Sequence, residues 1–255
     1  MAFPNIKMYL FNPQYQSQRQ FIDSIPSLLE QQGTTIKATR NLIKVLQMPD
    51  GTHVNVKRYH APRYANKLVY STGLRRPKGQ RAYEYAMRLC ERGIETPEPI
   101  AYIEERTAGI LGLSYFISIQ CNYGHTFYEW GDAPEGSYEE IALAFAAFTA
   151  NMHNQRVLHL DYSPGNILWE RIGEDYHFSV VDINRMYFGK VDLARGCANF
   201  ARLWGPKRFI QLIVREYARL RGFDADEAER LAMDARTAFW QRFSKRHKVK
   251  FHLEL

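Results

Sequence analysis

From His53 to Tyr59 the chain alternates, Val54 and Val56 falling on one side and Asn55 and Lys57 on the other. That two-residue period belongs to a strand with one buried face. TTIKATR (34–40) and LIKVLQM (42–48) continue the pattern upstream, with Arg40-Asn41 at their junction and the hairpin signal Asp50-Gly51 before the next strand. The period then changes. In RAYEYAMRLCERG (81–93), Tyr83, Ala86, Met87 and Cys90 recur at helical spacing, and Gly93 stands where a helix C-cap is expected. TPEP ends that helix, and IAYIEE (100–105) and ILGLSYFISIQ (110–120) predict two further strands joined by RTAG.

Around Asn122-Tyr123-Gly124 the pattern turns helical. EEIALAFAAFTANMHNQ (139–155) predicts a long helix. ILWERI (167–172) and YHFSVVDI (176–183) predict two strands around Gly173-Glu174-Asp175, and helices follow to the end. The expectation is an α+β chain of two lobes: a β-rich N-lobe with one main helix over 1–121, a hinge at 122–126, and an α-rich C-lobe over 127–255.

Composition narrows the class. With 45% hydrophobic and 24% charged residues the chain reads as globular rather than disordered. Cys90, Cys121 and Cys197 are scattered and form no CxxC pair, which argues against a zinc site or a disulfide framework and for a reducing compartment. The N-terminal stretch lacks a signal-like apolar core, and the most apolar helical run, IALAFAAFTANM (141–152), falls short of the roughly 20 residues a span requires. A cytoplasmic protein is expected. The net charge of +7 favours an anionic partner without selecting one.

The chemistry gathers in HLDYSPGNIL (159–168). Pairing of the two strands centred on Glu174 sets Asn166 opposite Asp182, with Asp161 just upstream. Two oxygen donors side by side suit Mg²⁺, a hard cation that shares its ligands with phosphates. A third carboxylate nearby can orient a hydroxyl and accept its proton. His159, Asp161, Asn166 and Asp182 follow the order and spacing of the kinase template, H-x-D-x-x-x-x-N and then a strand-ending aspartate. The loop motif alone recurs by chance in roughly one chain in a hundred of this length. Lys57, on an alternating strand, and Glu84, on the next helix, complete the template as a phosphate-binding lysine and its ion-pair partner. His159 is expected to brace the loop, not carry protons, and Asn184 and Arg185 are assigned no role.

Two departures point away from a protein acceptor. No G-x-G-x-x-G links the first strands, so Arg40 at their turn reads either as a phosphate contact in place of a glycine cradle or as part of a surface turn. Asp182 is followed by Ile-Asn rather than Phe-Gly, and no A-P-E follows before the helical segment ANFARLW.

VNVKRYHAP, RAYEYAMRLCERGIETPEPIAYIE, HLDYSPGNILW and VVDINRM resemble the Kdo/WaaP family of lipopolysaccharide core kinases of Gram-negative bacteria, the Kdo-kinase-like branch above the heptose-kinase branch. The resemblance implies a protein-kinase-like fold and transfer of the γ-phosphate of ATP to a sugar hydroxyl of the lipid A–core glycolipid at the cytoplasmic face of the inner membrane. Asp161 would be the base, Asn166 and Asp182 the Mg²⁺ ligands, and Lys57 with Glu84 the phosphate anchor.

The tail FWQRFSKRHKVKFHL (239–253) interleaves basic and aromatic residues. It reads either as a peripheral anchor to an anionic bilayer or as a solvated helix end whose aromatics pack on the second lobe. Arg75, Arg76, Lys78 and Arg81 likewise read as a phosphate contact or a solvated loop. The competing enzyme class is a soluble small-molecule kinase of the choline or aminoglycoside kind. A pseudokinase is disfavoured by the presence of Lys57, Asp161, Asn166 and Asp182, and a nucleic-acid binder has no motif beyond its charge.

Overall fold

A computed structural model describes residues 5–39, 41–62, 69–249 and 251–255, residues 5–9 as backbone alone. The chain divides into two compact units, Met1–Asn122 and Tyr123–Leu255.

The first unit is built on an antiparallel six-stranded sheet. In chain order its strands are β1 (Asn5–Phe11), β2 (Thr34–Ala38), β3 (Leu42–Gln47), β4 (His53–Tyr59), β5 (Pro99–Thr107) and β6 (Ile110–Ile119). Their order across the sheet is β1-β5-β6-β4-β3-β2. The alternation read in β4 holds: Val54 and Val56 are fully buried. They pack with Leu46, Ile103 and Ile117 against Ile22, Ile25 and Leu29 of helix α1 (Arg19–Gln31). Neither β1 nor α1 was anticipated, because Pro26 inside α1 masks a helical spacing that Ile22, Ile25 and Leu29 otherwise display. Lys44 of β3 donates to the Leu29 and Gln32 carbonyls at 2.7 and 3.0 Å, satisfying the helix C-terminus.

The opposite face of β4 carries Lys57 and Tyr59 and lies towards helix α2 (Lys78–Cys90). Gly79 makes this approach close, since a Cβ there would stand 2.6 Å from the Tyr102 ring and 3.2 Å from that of Tyr59. The basic stretch before Glu84 is thus partly the first turn of α2, where Gly79 and Gln80 are buried.

The second unit packs helix α3 (Glu139–Asn154) against α5 (Lys207–Arg221), with α4 (Leu193–Asn199) and α6 (Ala225–Ser244) beside them. Short strands β7 (His125–Thr126), β8 (Val157–His159), β9 (Ile167–Ile172), β10 (Asp175–Val180) and β11 (Met186–Phe188) carry the loops of interest. Of the two readings of the basic tail, packing accounts for two of its aromatics. Trp240 is 2% exposed, and Phe251 stacks on Trp204 at 4.4 Å between ring centroids. His252 N–H donates to Asp132 and the Glu254 carboxylate accepts from Lys207 N–H, so the chain end is tied to its own unit. Arg242, Lys245, Arg246 and Lys248 stay exposed. No helix among the described residues is long and apolar enough to cross a membrane.

Because Tyr102 is fully buried, its ring has little room to retreat from a new methyl group. Gly79→Ala is therefore expected to cost the first unit about 1–3 kcal/mol by overpacking. Urea unfolding checks this, through a lower midpoint at unchanged slope.

Candidate active site

Two short ladders bring the site's loops together. Antiparallel pairing of β8 with β11 sets His159 beside Met186, so the loop after β8 and the loop before β11 share one end of that ladder. The β9–β10 hairpin closes the other side. Its pairs run from Ile172 with Asp175 to Ile167 with Val180, one residue away from the pairing centred on Glu174. The cause is a two-residue turn, with Gly173 at φ +65° in the first central position, as a type II′ hairpin asks. Asn166 consequently faces Val181, whose N–H donates to the Asn166 carbonyl at 3.0 Å, and not Asp182. The chain leaves the strand after Val180, and Asp182 takes a left-handed φ of +55°. That conformation frees its side chain from the strand alternation, and residues other than glycine hold it chiefly at functional or constrained positions.

His159 fastens the two loops to each other. It is fully buried. Its Nδ1 accepts the Asp161 backbone N–H at 3.0 Å. The proton therefore sits on Nε2, which donates to the Val181 carbonyl at 3.0 Å. Burial pushes its pKa down to about 4 against smaller opposing effects of the Val181 carbonyl and the Asp182 charge, so the ring is neutral. The structure thus uses His159 as the expected brace.

The loop then folds on itself. The Asp161 carbonyl accepts Ser163 N–H at 2.8 Å and Asn166 Nδ2–H at 2.8 Å. Tyr162 drops into the core, its hydroxyl 2.9 Å from that of Thr149 and its ring stacked on Phe145. Gly165 lies under Tyr128, whose ring would stand 2.7 Å from a Cβ there. Beneath the loop runs a polar chain that sequence reading missed. Arg221 donates to the Tyr217 hydroxyl, Tyr217 to His153 Nδ1, His153 Nε2–H to Asn199, and Asn199 to the His159 carbonyl, at 2.9, 2.9, 3.2 and 2.9 Å. Burial holds His153 neutral as well, pushing its pKa down to about 3.

The charged groups sit at the loop's exposed edge. The Asp161 carboxylate accepts a hydrogen bond from Arg202, and Arg185 stands 3.9 Å from its other oxygen. Asp182 Oδ1 accepts the Asn184 amide at 2.5 Å. Arg202, Arg185 and Asn184 all went unassigned. Arg202 comes from a single 3-10 turn far along the chain, and no local pattern flags it.

Three of the sequence-derived candidates, Asp161, Asn166 and Asp182, are therefore joined through His159 and Val181 in the second unit. Lys57 and Glu84 belong to the first. The Lys57 ammonium lies 5.4 Å from the Tyr59 ring centroid. The Glu84 carboxylate accepts from Arg76 at 2.6 Å and Gln80 at 2.9 Å. Arg40 lies outside the described residues.

The donor set fits a magnesium ion. With Nδ2 of Asn166 committed to the Asp161 carbonyl, its Oδ1 is the atom left to ligate, and Asp182 offers a carboxylate on the neighbouring loop. No cluster of three or more His, Cys, Asp or Glu able to hold a metal is found among the described residues. An ion held by Asn166 and Asp182 would therefore share its coordination with phosphate oxygens and water, as Mg²⁺ does.

An H-x-D-x-x-x-x-N loop braced by a neutral histidine and tied to the residue before a post-strand aspartate, in a helical unit that follows an antiparallel β unit, defines the class as a kinase-like phosphotransferase. The family model described as "Lipopolysaccharide kinase (Kdo/WaaP) family" matches residues 28–204, and the chain belongs to that family. It is accordingly an ATP-dependent phosphotransferase acting on a sugar. No curated protein matches by sequence. Among solved structures, one titled "WaaP in complex with acyl carrier protein" is similar at 18% identity and a TM-score of 0.58, over 95% of this chain and 100% of that one. The Rio2 kinase from Chaetomium thermophilum, in its ADP/Mg²⁺-phosphoaspartate complex, aligns at 14% identity and a TM-score of 0.48, over 94% of this chain and 82% of that one.

The two buried imidazoles carry a pH signature. Each is neutral when folded but titrates near 6.5 when unfolded, so unfolding takes up a proton between those values. Their contribution is complete above about pH 6.5 and is lost as pH falls towards the folded values. The thermal midpoint should fall between pH 6.5 and 4, and His153→Gln should flatten that dependence in a calorimetric pH series.

Proposed function

We propose that the protein transfers the γ-phosphate of ATP to a Kdo or heptose hydroxyl of the lipid A–core glycolipid. Asp161 is the general base, and Asn166 and Asp182 hold Mg²⁺. Lys57, anchored by Glu84, contacts the nucleotide phosphates, and Arg40 is a second candidate phosphate contact. The observation that carries this reading is the His159 brace, which fixes Asp161, Asn166 and the Asp182 turn as one unit in a chain of the lipopolysaccharide kinase family.

Each residue's part follows from its chemistry. Asp161 orients the acceptor hydroxyl and takes its proton, a role worth roughly 10²–10⁴ in rate. Asn166 Oδ1 and the Asp182 carboxylate supply the hard oxygens that hold the metal, which when bound offsets charge on the phosphoryl oxygens. Lys57 adds a positive charge against the phosphates. After Asp182 only β11 separates the site from α4, which starts at Leu193. So short a connection supports a sugar acceptor over a docked polypeptide. The exposed basic residues of the tail supply charge for peripheral contact with the anionic inner leaflet, where the acceptor resides.

Incubation with Mg-ATP and Kdo-bearing lipid A should yield a product heavier by one phosphate. Efficient transfer to a free small alcohol and none to the glycolipid would instead favour the choline or aminoglycoside kind of kinase. Asp161→Ala should cut turnover by at least about 10²-fold while nucleotide still binds. Asp182→Ala should abolish the metal dependence of nucleotide binding, read by titration with and without Mg²⁺.

A further inference from the structure

The base in this site is flanked by two cations that the mechanism does not use. Arg202 bonds one oxygen of the Asp161 carboxylate, and Arg185 faces the other at 3.9 Å. Their side chains are 35% and 55% exposed, so both reach solvent. Among the described residues neither guanidinium has another hydrogen-bond acceptor; Arg202 only lies over the Phe239 ring. Two positive charges thus meet one negative charge at the point where an acceptor hydroxyl must arrive. A guanidinium has donors in a fixed fork that fits carboxylates and phosphates two bonds at a time, and a single bond to Asp161 leaves most of that fork open.

The arrangement also obstructs the base. A carboxylate oxygen engaged by a guanidinium is not turned to a hydroxyl, so productive binding requires a competing acceptor for Arg202. An anion on the incoming sugar supplies one, and it places the neighbouring hydroxyl against the oxygen that is released.

We propose that Arg185 and Arg202 form an oxyanion-binding fork for the acceptor, which takes a carboxylate or phosphate next to the hydroxyl to be phosphorylated and draws Arg202 from Asp161. The proposal rests on the reading of Asp161 as the base, but its binding test does not require phosphate transfer. Arg202, which is held by Asp161 on one side and packed on Phe239 on the other, acts as the specificity residue; Arg185 adds charge from the loop after Asp182.

Calorimetric titration without nucleotide tests it, using free Kdo as the carboxylate probe, glucosamine 1-phosphate as the phosphate probe and Kdo methyl ester as the neutral control. Because Asp161 competes with the ligand for the same guanidiniums, Asp161→Asn should bind the charged probe more tightly than the wild type. Arg185→Ala and Arg202→Lys should weaken it about tenfold or more, as loss of a charge-assisted hydrogen bond does. Arg202→Lys keeps the charge and the stem over Phe239, so that weakening would reflect the lost fork and not a misfolded unit; the thermal midpoint verifies this. Preference for Kdo or for glucosamine 1-phosphate identifies which oxyanion is read. Binding of all three probes with equal strength, binding unchanged in both arginine variants, or weakening of ATP alone would overturn the proposal. A wild type that shows the expected binding pattern yet transfers phosphate to no acceptor would instead sink the catalytic reading and leave the fork standing.

Discussion

The second unit is organised around one imidazole. His159 accepts a hydrogen bond from the backbone N–H of Asp161 and donates one to the carbonyl of Val181, which lies 22 residues further on. The β8–β11 ladder and the Val181 N–H bond to the Asn166 carbonyl also join the two loops, and His159 is the side chain that ties the Asp161 backbone to Val181 directly. A net hydrogen bond stabilises by only about 1 kcal/mol, but a buried donor or acceptor left unmade costs about 1–3 kcal/mol. The value of the brace is therefore mostly exclusion. Any arrangement of the loops that fails to present one N–H and one carbonyl to His159 strands a buried polar group.

The brace would wander if its own backbone were loose. Asn199 prevents this by binding the His159 carbonyl, and the chain of donors through His153, Tyr217 and Arg221 ties it to α3, α4 and α5. Gly196 is the condition for that chain, since a Cβ there would stand 2.1 Å from the Tyr217 hydroxyl. Packing density and polar satisfaction thus act on the same few residues, and the loop inherits its rigidity from three helices.

How far the sequence reached follows from the range of each signal. Local periodicity located β4, with Val54 and Val56 inward and Lys57 on the other face, and it located α3. Spacing within one loop picked out Asp161 and Asn166. The hairpin register missed by one residue because Gly173-Glu174-Asp175 is compatible with a turn of two residues or of three, and only packing decides between them. At Asp182 the chain takes a left-handed φ that no alternation rule anticipates. Asn199, Arg202 and Tyr217 were illegible for a different reason. Their roles exist only once α4 and α5 are folded against the loop, and an arginine in ANFARLW looks like any surface cation until its carboxylate partner is known. The tail posed the converse problem. Its interleaved aromatics suited a membrane as well as a core, and the stacking of Phe251 on Trp204 and the burial of Trp240 assign those two to the core.

A division of labour explains why the scaffold is neutral and the edge is charged. His159 and His153 are held by burial well below their ordinary pKa, so neither changes charge near neutral pH. Tyr162 and Tyr217 are shifted the opposite way by the same burial and also stay neutral. A support that titrated would alter the field at Asp161 whenever pH drifted, and in a low-dielectric interior that change would be large. Confining charge to Asp161, Asp182, Arg185 and Arg202 leaves the field at the loop edge to be changed only by what binds there. A charged ligand bound there would shift the field locally, against a frame that does not respond. Such preorganisation lets a few polar groups on a short loop stabilise developing charge without first having to reorient.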